Sequence, residues 1–454
     1  MLQTFRNAWR IEELRKKILF TLLIVLLYRL GNAVPVPFVD TKALADYFQA
    51  SGLQNTILGL FNVMSGGAFS QATIFALSIQ PYINASIIIQ LLTIAIPALE
   101  RLQKEGGEEG RKKLASITRY TTVGIALLQG FGYYTWINYY NNNGISMLNV
   151  PEGYGVWAAI VIIAAFVAGS AFVMWLGEQI TEFGIGNGIS IILFAGIVSR
   201  GPTMVSSIVG GVSNWANGAD SASAHTLHPA FIPLIVIGML ALVVFIVFIT
   251  NAERRIPVQY AKRVVGRKMY GGQSSHIPIK VNMSGVLPII FAQTIASIPA
   301  TIGMFVPSAT QEGSGWNTFL NIFDNTGLIY SIVYFLLIIM FSYFYSTIQF
   351  NPVEVANNLK KNGGFIPGFR PGKPTADFLH KVISRITLFG AIYLAIVALL
   401  PTITGNIMNA AGSTAGSGLA IGGTSIIIVV GVALETTKAL EAQLMMRHYK
   451  GFLE

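Results

Sequence analysis

The residues that could support chemistry are few and widely separated. The chain has no cysteine, and its five histidines lie in predicted loops or near the ends of predicted helices, at His225, His228, His276, His380 and His448. An intramembrane protease needs a Ser–His or paired-Asp arrangement within the bilayer, which these positions do not provide. His225 and His228 are spaced like metal ligands, but no further ligands lie nearby, so a solvated loop is the better interpretation. We therefore expect no enzyme activity, no bound metal and no cofactor.

Carboxylates avoid the centres of the apolar segments. Glu178, Glu182, Asp377 and Glu435 lie near the ends of predicted spans or in loops. An ion-coupled transporter of small solutes usually places ionisable groups at mid-membrane, so the sequence disfavours that class. No GxxxxGK[ST] phosphate loop is present either, because the Gly-Lys pair at 372–373 is followed by proline. The energy for any transport must then come from a partner or from the membrane potential.

The apolar segments themselves indicate an all-α polytopic membrane protein. Hydrophobic residues make up 53% of the 454-residue chain and charged residues only 11%, against about 25% charged residues in soluble domains. A membrane β-barrel would show short alternating segments, which are absent. The hydropathy pattern predicts ten spans, at 18–36, 73–97, 117–137, 155–176, 186–205, 229–250, 285–305, 327–349, 378–400 and 421–438.

One uncharged stretch is too long for a single span. No charged residue occurs between Asp46 and Glu100, whereas a span needs about 20 apolar residues. The glycines that follow Ser65 favour a turn, which leaves a short re-entrant half from about Gly59 to Ser70 before the second span. Non-helical backbone at membrane depth is tolerated only where protein or a water-filled cavity surrounds it. The sequence therefore predicts a path across the membrane with a small apolar segment inside it.

Basic residues predict the orientation. With the N-terminus in the cytoplasm, all 30 Lys and Arg fall on the inside except Lys42 and Arg200, which lie outside, and Arg29, which lies within the first span. This asymmetry predicts that both termini are cytoplasmic. A cleaved signal peptide is disfavoured, because no small-x-small site follows the first apolar run. We expect Arg29 to extend towards the outer interface or to contact a structural partner.

Two inside loops, at 251–283 and 350–377, are long, basic and punctuated by glycine and proline. A purely topological role, with contacts to anionic lipid, would explain the charge. Orientation alone does not require loops of this length, so docking of an acidic protein or of RNA phosphates is the favoured interpretation.

Several long segments resemble the SecY family, the channel subunits of the bacterial Sec protein translocase. They are GLFNVMSGGAFSQATIFALSIQPYINASIIIQLL, WLGEQITEFGIGNGISIILFAGIVS and NPVEVANNLKKNGGFIPGFRPG, and the resemblance extends in order over nearly the whole chain. It implies two pseudo-symmetric, inverted-repeat halves around a central hourglass pore in the bacterial cytoplasmic membrane. The halves would be 18–205, with a re-entrant plug half-helix at 59–72, and 206–440, between a cytoplasmic N-terminus at 1–17 and a tail at 441–454.

The resemblance also implies the functional residues. The plug would include Gly59, Phe61, Asn62, Met64, Ser65, Gly66 and Gly67, although an ordinary packed re-entrant loop would have the same sequence. The aliphatic pore ring would be Ile79, Ile83, Leu193, Ile197, Ile290 and Ile428, with Leu193 where relatives often have isoleucine. Polar contacts of the lateral gate would be Asn84, Gln293 and Thr294, unless backbone carbonyls satisfy them.

The same resemblance implies partners: the small subunits SecE and SecG, the motor ATPase SecA, the ribosome and signal-bearing polypeptides. The residues that would dock the motor or the ribosome are Arg267, Lys268, Lys360, Lys361 and Arg370. Lys268 stands where many relatives have arginine, which keeps the charge but loses bidentate geometry.

Overall fold

The computed structural model describes residues 2–50, 57–142, 144–151, 153–216, 231–260, 263–265, 268–270, 274–283, 285–305, 327–410 and 423–450. The first helices are α1 Leu2–Arg10, α2 Glu12–Gly31, α3 Thr41–Ala50, α4 Ile57–Met64, α5 Gln80–Ala95, α6 Pro97–Lys104, α7 Gly107–Asn142, α8 Gly155–Phe183 and α9 Gly188–Val198. The later helices are α10 Gly201–Ala216, α11 Phe231–Asn251, α12 Leu287–Ala296, α13 Ile298–Phe305, α14 Leu328–Gln349, α15 Pro352–Lys361, α16 Lys373–Ala410 and α17 Gly423–Lys450. The strands are β1 Glu253–Tyr260, β2 Arg263–Val265, β3 Lys268–Tyr270, β4 Ser274–Lys280 and β5 Gly364–Phe365.

Several of these helices have the properties of membrane spans. Within the described ranges, three helices are both long and apolar enough to cross a bilayer. They are α8, α14 together with α15, which continues it, and α16. The helices α5 and α6 qualify together but bend by 101°. The bend lies at Ile96, which is extended because a proline follows it. Shorter apolar helices occur in α9, α11 and α12. The fold is mostly helical and membrane-spanning, and the count of ten spans stays a prediction.

The second predicted span begins later than the sequence indicates. We expected a helix from residue 73, but α5 begins at Gln80, and residues 65–79 form turns and one isolated bridge. Ala72 and Ser78 have positive φ angles of 41° and 50°, a conformation that cannot continue a right-handed helix. Hydropathy did not detect this irregular stretch because its residues are as apolar as those of the helix that follows.

The all-α expectation is wrong for the two basic loops, which form β-structure. Strands β1 and β4 pair antiparallel from Glu253–Lys280 to Gln259–Ser274, and β5 joins the other edge of β1. Ile256 and Val258 alternate with exposed residues and are buried against α15 and α16. The two loops are therefore one structural unit. We refer to this end of the molecule as the strand-bearing end.

The helices that matter most for function surround α9. This short helix packs against α8, α17, α4 and α2. Helix α12 packs on α14, and α17 also contacts α11 and α16. The first part of the chain meets the second where α9 packs on α17 and also where α13 packs on α7. One large hydrophobic cluster runs through the centre of this arrangement, and a second, richer in aromatic residues, lies beside α4 and α7.

Candidate functional site

The six aliphatic side chains predicted to form the pore ring lie in one hydrophobic cluster. Each is less than a tenth exposed, and all six belong to the central cluster: Ile79, Ile83, Leu193, Ile197, Ile290 and Ile428. They come from the start of α5, from α9, from α12 and from α17. Leu193 and Ile197 are four apart in α9 and so share a face, whereas Ile79 is the N-cap residue that precedes α5 and Ile83 lies in its first turn. The cluster brings together residues that are up to 349 positions apart in the sequence (428 minus 79).

A large cavity opens on one side of this cluster. Its volume is about 480 Å³, and Leu193, Ile290 and Ile428 form part of its apolar wall. Lys280 and Lys438 are among the polar residues that line the remainder. Lys280 ends β4, so the cavity faces the strand-bearing end. Polar lining of this kind accommodates water, whereas the aliphatic wall does not.

A second, much smaller cavity also touches this cluster. Its volume is about 30 Å³, against about 480 Å³ for the first. Phe61, Met64 and Phe69 line it together with Leu193. Leu193 therefore lines both cavities.

The predicted plug segment forms part of the lining of this small cavity. Helix α4 and the turns after it lie inside the protein: Gly59, Asn62, Met64 and Ser65 are buried, and Phe61, Gly66 and Gly67 are partly buried. Ring contacts join the segment to α7, with Phe69 stacked on Tyr133 at 4.5 Å between centroids. The Tyr133 hydroxyl also donates to the Phe69 carbonyl oxygen. The segment is thus packed against protein on the inside of the bundle.

A network of internal hydrogen bonds gives the segment its own shape. The amide of Gly67 donates to the carbonyl oxygen of Asn62 at 2.8 Å, and the Asn62 side-chain oxygen accepts from the amide of Ser70 at 3.0 Å. The Ser65 hydroxyl oxygen accepts from the amide of Phe69 at 3.1 Å. These bonds satisfy polar groups that would otherwise be costly to bury. The segment therefore has the internal bonding needed to move as one unit.

Two glycines allow the segment to approach α9 closely. A Cβ atom on Gly196 of α9 would collide with the Met64 carbonyl oxygen, and one on Gly66 would lie 2.6 Å from the Ser199 hydroxyl oxygen. Gly66 also has a φ angle of 70°, which glycine adopts at little cost. Backbone-to-backbone contact of this kind leaves no side chain to rearrange when the two surfaces separate.

Helix α2 holds the end of the same segment, which the sequence analysis did not assign. The Arg29 guanidinium donates to the Gly66 carbonyl oxygen at 3.3 Å and to the Ser199 hydroxyl at 3.2 Å. The Asn32 amide donates to the Ser65 carbonyl oxygen at 3.0 Å. The signal for Arg29 was its position inside an apolar span, where a charge needs a partner. Nothing in the sequence identified which carbonyl that partner would be.

The polar residues predicted for a lateral gate lie on two helices of the central cluster. Gln293 and Thr294 of α12 are buried, and Asn84 of α5 is half-buried. Within the described residues, the side-chain oxygens Oε1 of Gln293, Oγ1 of Thr294 and Oδ1 of Asn84 are all shielded from solvent and have no hydrogen-bond partner. Polar groups left in this state are weak points in a helix interface, because a buried acceptor without a donor costs free energy.

Helix α13, from the second part of the chain, contacts α7, from the first part, through apolar groups. The rings of Phe131 and Phe305 have centroids 6.3 Å apart. A Cβ atom on Gly132 would lie 3.0 Å from the Phe305 ring. Among the contacts described for these two helices, the closest is this apolar one between a glycine and an aromatic ring.

The basic residues predicted to dock a partner are exposed at the strand-bearing end. Lys360 and Lys361 end α15, and Arg370 lies in the turn between β5 and α16. This turn is ordered, because Phe369 stacks on Phe378 at 4.1 Å and Thr375 donates its hydroxyl to the Arg370 carbonyl oxygen at 2.8 Å.

The remaining two docking candidates lie in the hairpin that joins β1 to β4. Lys268 begins β3 and pairs with Val265, and Arg267 lies outside the described residues. Lys360, Lys361 and Arg370 flank β5, which pairs with β1, whereas β2 and β3 form a separate two-stranded sheet. In the described part of the chain, no group of three His, Cys, Asp or Glu side chains could hold a metal ion.

Comparison with known proteins places this architecture among translocation channels. The family model described as SecY matches residues 73–437. The chain is 46% identical to the "Protein translocase subunit SecY" of Streptomyces coelicolor and 43% identical to that of Mycobacterium tuberculosis, with both chains covered in full.

Solved structures show the same fold at lower identity. "The structure of a protein conducting channel" superimposes with a TM-score of 0.61 at 18% identity, covering 94% of this chain and 92% of that one. "Sec61 in the Canine ribosome-channel complex from the endoplasmic reticulum" gives a TM-score of 0.59 at 17% identity, with 94% and 92% coverage.

Proposed function

The chain belongs to the SecY family, and on that premise we propose that it conducts unfolded, signal-bearing polypeptides across the membrane and releases apolar segments sideways into lipid. SecY proteins are subunits of a protein translocase and form a channel, not an enzyme. The proposal includes the finer architecture: ten spans, inverted-repeat halves at 18–205 and 206–440, and a strand-bearing end that faces the cytoplasm. The excess of Lys and Arg at that end supports this orientation.

One observation carries the proposal: the six aliphatic side chains lie in one buried cluster, and Leu193 of that cluster lines both a large, partly polar cavity and a small cavity beside the predicted plug. We assign Ile79, Ile83, Leu193, Ile197, Ile290 and Ile428 as the ring that seals the resting channel. An aliphatic constriction excludes water and ions by dewetting. Flexible hydrocarbon side chains also separate around a polypeptide and close again after it passes.

The second seal is the segment that contains α4, which we assign as the plug. Its internal hydrogen bonds and its contact with α9 through Gly66 and Gly196 support movement as a unit. Another solved structure of this fold is described in the words "The plug domain of the SecY protein stablizes the closed state of the translocation channel and maintains a membrane seal". The present segment contributes Met64 to the central cluster and Leu58 and Phe69 to the aromatic cluster, and its displacement would open a path.

Sideways release requires a seam that opens. We propose that it lies between α5 and α7 on one side and α12 to α14 on the other. The unpartnered oxygens of Asn84, Gln293 and Thr294 and the apolar α7–α13 contact support this location. Hydrogen bonds between membrane helices contribute only about 1 kcal/mol each, which suits an interface that must separate.

Partners would bind at two surfaces. The exposed cations Lys360, Lys361 and Arg370 would meet carboxylates of the motor SecA or phosphates of ribosomal RNA, and Arg267 and Lys268 would extend this surface. The small subunits SecE and SecG would cover apolar helix faces. One such face is a groove of about 570 Å³ between α2, α9 and α17, lined by residues such as Leu22 and Phe194.

The ring assignment is tested by ion conductance. We expect Ile83→Ser combined with Ile290→Ser to raise the resting conductance of the translocase in planar bilayers by about tenfold, because two polar groups hydrate the constriction. A matched control replaces Ile88 and Ile298, which are exposed on the outside of α5 and α13, with serine. Equal conductance in both variants and in the parent would remove the ring assignment.

A further inference from the structure

A strained turn lies directly before the predicted pore ring. Ser78 has a φ angle of 50°, a left-handed conformation that is unfavourable for a residue with a Cβ atom. The next residue, Ile79, is the N-cap residue of α5 and a member of the pore ring, and both side chains are buried. The conformation of Ser78 therefore determines where Ile79 lies. Because a disfavoured backbone conformation persists only where its surroundings hold it, the turn needs a support.

A hydrogen bond joins Ser78 to α2. The hydroxyl oxygens of Tyr28 and Ser78 lie 3.1 Å apart and form a buried bond. Tyr28 is 1% exposed and Ser78 is 4% exposed. Loss of either hydroxyl would leave the other buried without this partner, at a larger cost than the loss of an exposed bond. The bond therefore favours the observed conformation of the turn.

The aromatic ring of Tyr28 also packs on the turn. It is stacked on Phe75, with centroids 5.9 Å apart and an angle of 6° between the planes. Gly31 of α2 leaves room for Phe75, because a Cβ atom there would lie 1.9 Å from the Phe75 ring. The stacking contact would remain if Tyr28 were phenylalanine, whereas the hydrogen bond would not. The two contributions of Tyr28 can therefore be separated by experiment.

Backbone contacts hold the first part of the turn. The Ile74 amide donates to the Val34 carbonyl oxygen at 3.0 Å, and the Val36 amide donates to the Ala72 carbonyl oxygen at 3.1 Å. A Cβ atom on Gly169 of α8 would collide with the Ile74 carbonyl oxygen. In the described residues, the hydrogen bond of Ser78 is the one nearest to the pore ring among those that join this turn to α2 and the chain after it.

The end of α2 that carries Tyr28 also contacts the predicted plug. Arg29 and Asn32 donate to carbonyl oxygens of the plug segment. The Tyr28 hydroxyl lies close to α9 as well, because a Cβ atom on Gly196 would be 3.5 Å from it. One end of one helix thus contacts both proposed seals, with the hydroxyl of Tyr28 on the side of the pore ring.

We propose that Tyr28 is a positioning residue for the pore ring: its hydroxyl holds Ser78 in the left-handed conformation that places Ile79 in the constriction. The inference deepens the proposed function, because it rests on Ile79 being part of the seal. Serine at position 78 gives the Tyr28 hydroxyl a partner but disfavours the turn. Glycine would do the reverse, since it adopts positive φ angles at little cost and has no side chain to bond. A turn that contained glycine would therefore not need Tyr28.

The resting conductance of the purified translocase in planar bilayers tests this role. We expect Tyr28→Phe to raise the conductance about fivefold, because the unsupported turn relaxes and Ile79 leaves the constriction. Ser78→Ala keeps the strain and loses the same bond, so it should give a similar rise. Y28F/S78A should not exceed either single variant, since all three lack one and the same interaction. The matched control is Tyr334→Phe, at a buried tyrosine of α14 whose hydroxyl has no hydrogen-bond partner within the described residues, and it should conduct like the parent.

The decisive variant is Y28F/S78G. Glycine removes the strain, so we expect the double variant to return to the parental conductance, which a general loss of packing at Tyr28 would not do. Motor-driven export into inverted vesicles should stay at the parental level with Tyr28→Phe. Parental conductance with Tyr28→Phe, or no rescue by S78G, would overturn the proposal. Reduced export with Tyr28→Phe would do so too, because it would assign Tyr28 to the stability of the fold.

The double serine variant of Ile83 and Ile290, measured in the same bilayers, separates this inference from the ring assignment. If that variant leaks and Tyr28→Phe does not, the pore ring stands and the role of Tyr28 is wrong. If that variant conducts like the parent, the ring assignment is wrong and the role of Tyr28 falls with it. Leak in both, with rescue by S78G, supports both.

Discussion

The two ends of the channel are built in opposite ways. At the strand-bearing end, a cavity of about 480 Å³ is partly lined by polar residues, and the candidate docking cations Lys360, Lys361 and Arg370 are exposed on an ordered frame. Beside the candidate plug, the described cavity has a volume of only about 30 Å³, and the candidate plug residues are wholly or partly buried. One region exposes charged side chains, and the other buries apolar ones.

This difference separates two kinds of mutational effect. An exposed cation contributes to binding without supporting the fold, so its loss should affect transport and leave the resting seal intact. A buried contact of the plug supports the closed state, so its loss should affect the seal and leave docking intact. Measuring export and ion leak on the same variants tests whether the two ends are independent.

The largest effect is expected at Arg370. Arg370→Glu should lower motor-driven export by about thirtyfold, because a reversed charge in an interface is repelled by the carboxylates or phosphates that it formerly bound. Uptake of a signal-bearing precursor into inverted membrane vesicles, with purified motor and ATP, measures the effect, and bilayer conductance should stay at the parental level. The same charge change at Lys112, which is also exposed, is the control. Export by Arg370→Glu at the rate of the Lys112 control would contradict the docking assignment.

A change at Gly196 should act only on the seal. Gly196→Val places a side chain against the Met64 carbonyl oxygen, so the plug must shift away from α9. Overpacking of this kind costs about 1–3 kcal/mol, which corresponds to roughly a tenfold rise in resting conductance. Gly124→Val is the matched control in α7, because a Cβ there meets nothing within 4 Å. Parental conductance with Gly196→Val would show that the plug does not seal through α9.

The smallest of these effects is expected at Arg29. Arg29→Gln weakens the hydrogen bonds to Gly66 and Ser199, and we expect resting conductance to rise about threefold, since the contact is solvent-accessible and each such bond is modest. Arg29→Lys keeps the charge but not the paired geometry and should give an intermediate value. If Arg29→Lys behaves like Arg29→Gln, geometry and not charge holds the plug. If both leave conductance unchanged, Arg29 does not hold it.

Composition and charge were sufficient to predict a helical membrane protein. Helices that are surrounded by lipid need long apolar segments with few charged residues, and the sequence shows such segments directly. The start of α5 could not be predicted in the same way. Ala72 and Ser78 adopt left-handed conformations that their residue types disfavour, so only the tertiary packing explains them. The sheet was missed because the apolar alternation in β1 is short: Ile256, Val258 and Tyr260 follow three charged residues.

The candidate site was predictable to different degrees in its different parts. Helical spacing grouped Ile79 with Ile83 and Leu193 with Ile197, but only family resemblance joined these pairs to Ile290 and Ile428. Arg29 attracted attention as a charge within a span, yet its acceptor is 37 residues away, in an irregular turn. Contacts of this kind depend on the path of the backbone, which local sequence patterns do not contain.

The pairing of β1 with β5 gives the channel a mechanical linkage. Gln259 pairs with Phe365, so the turn that carries Arg370 is tied by backbone hydrogen bonds to a strand that begins two residues after α11 ends. The other edge of that strand pairs with β4, which leads into α12 and Ile290. If the proposed docking and ring assignments hold, a partner that displaces this turn would move α11 through β1, and α12 with Ile290 through β4.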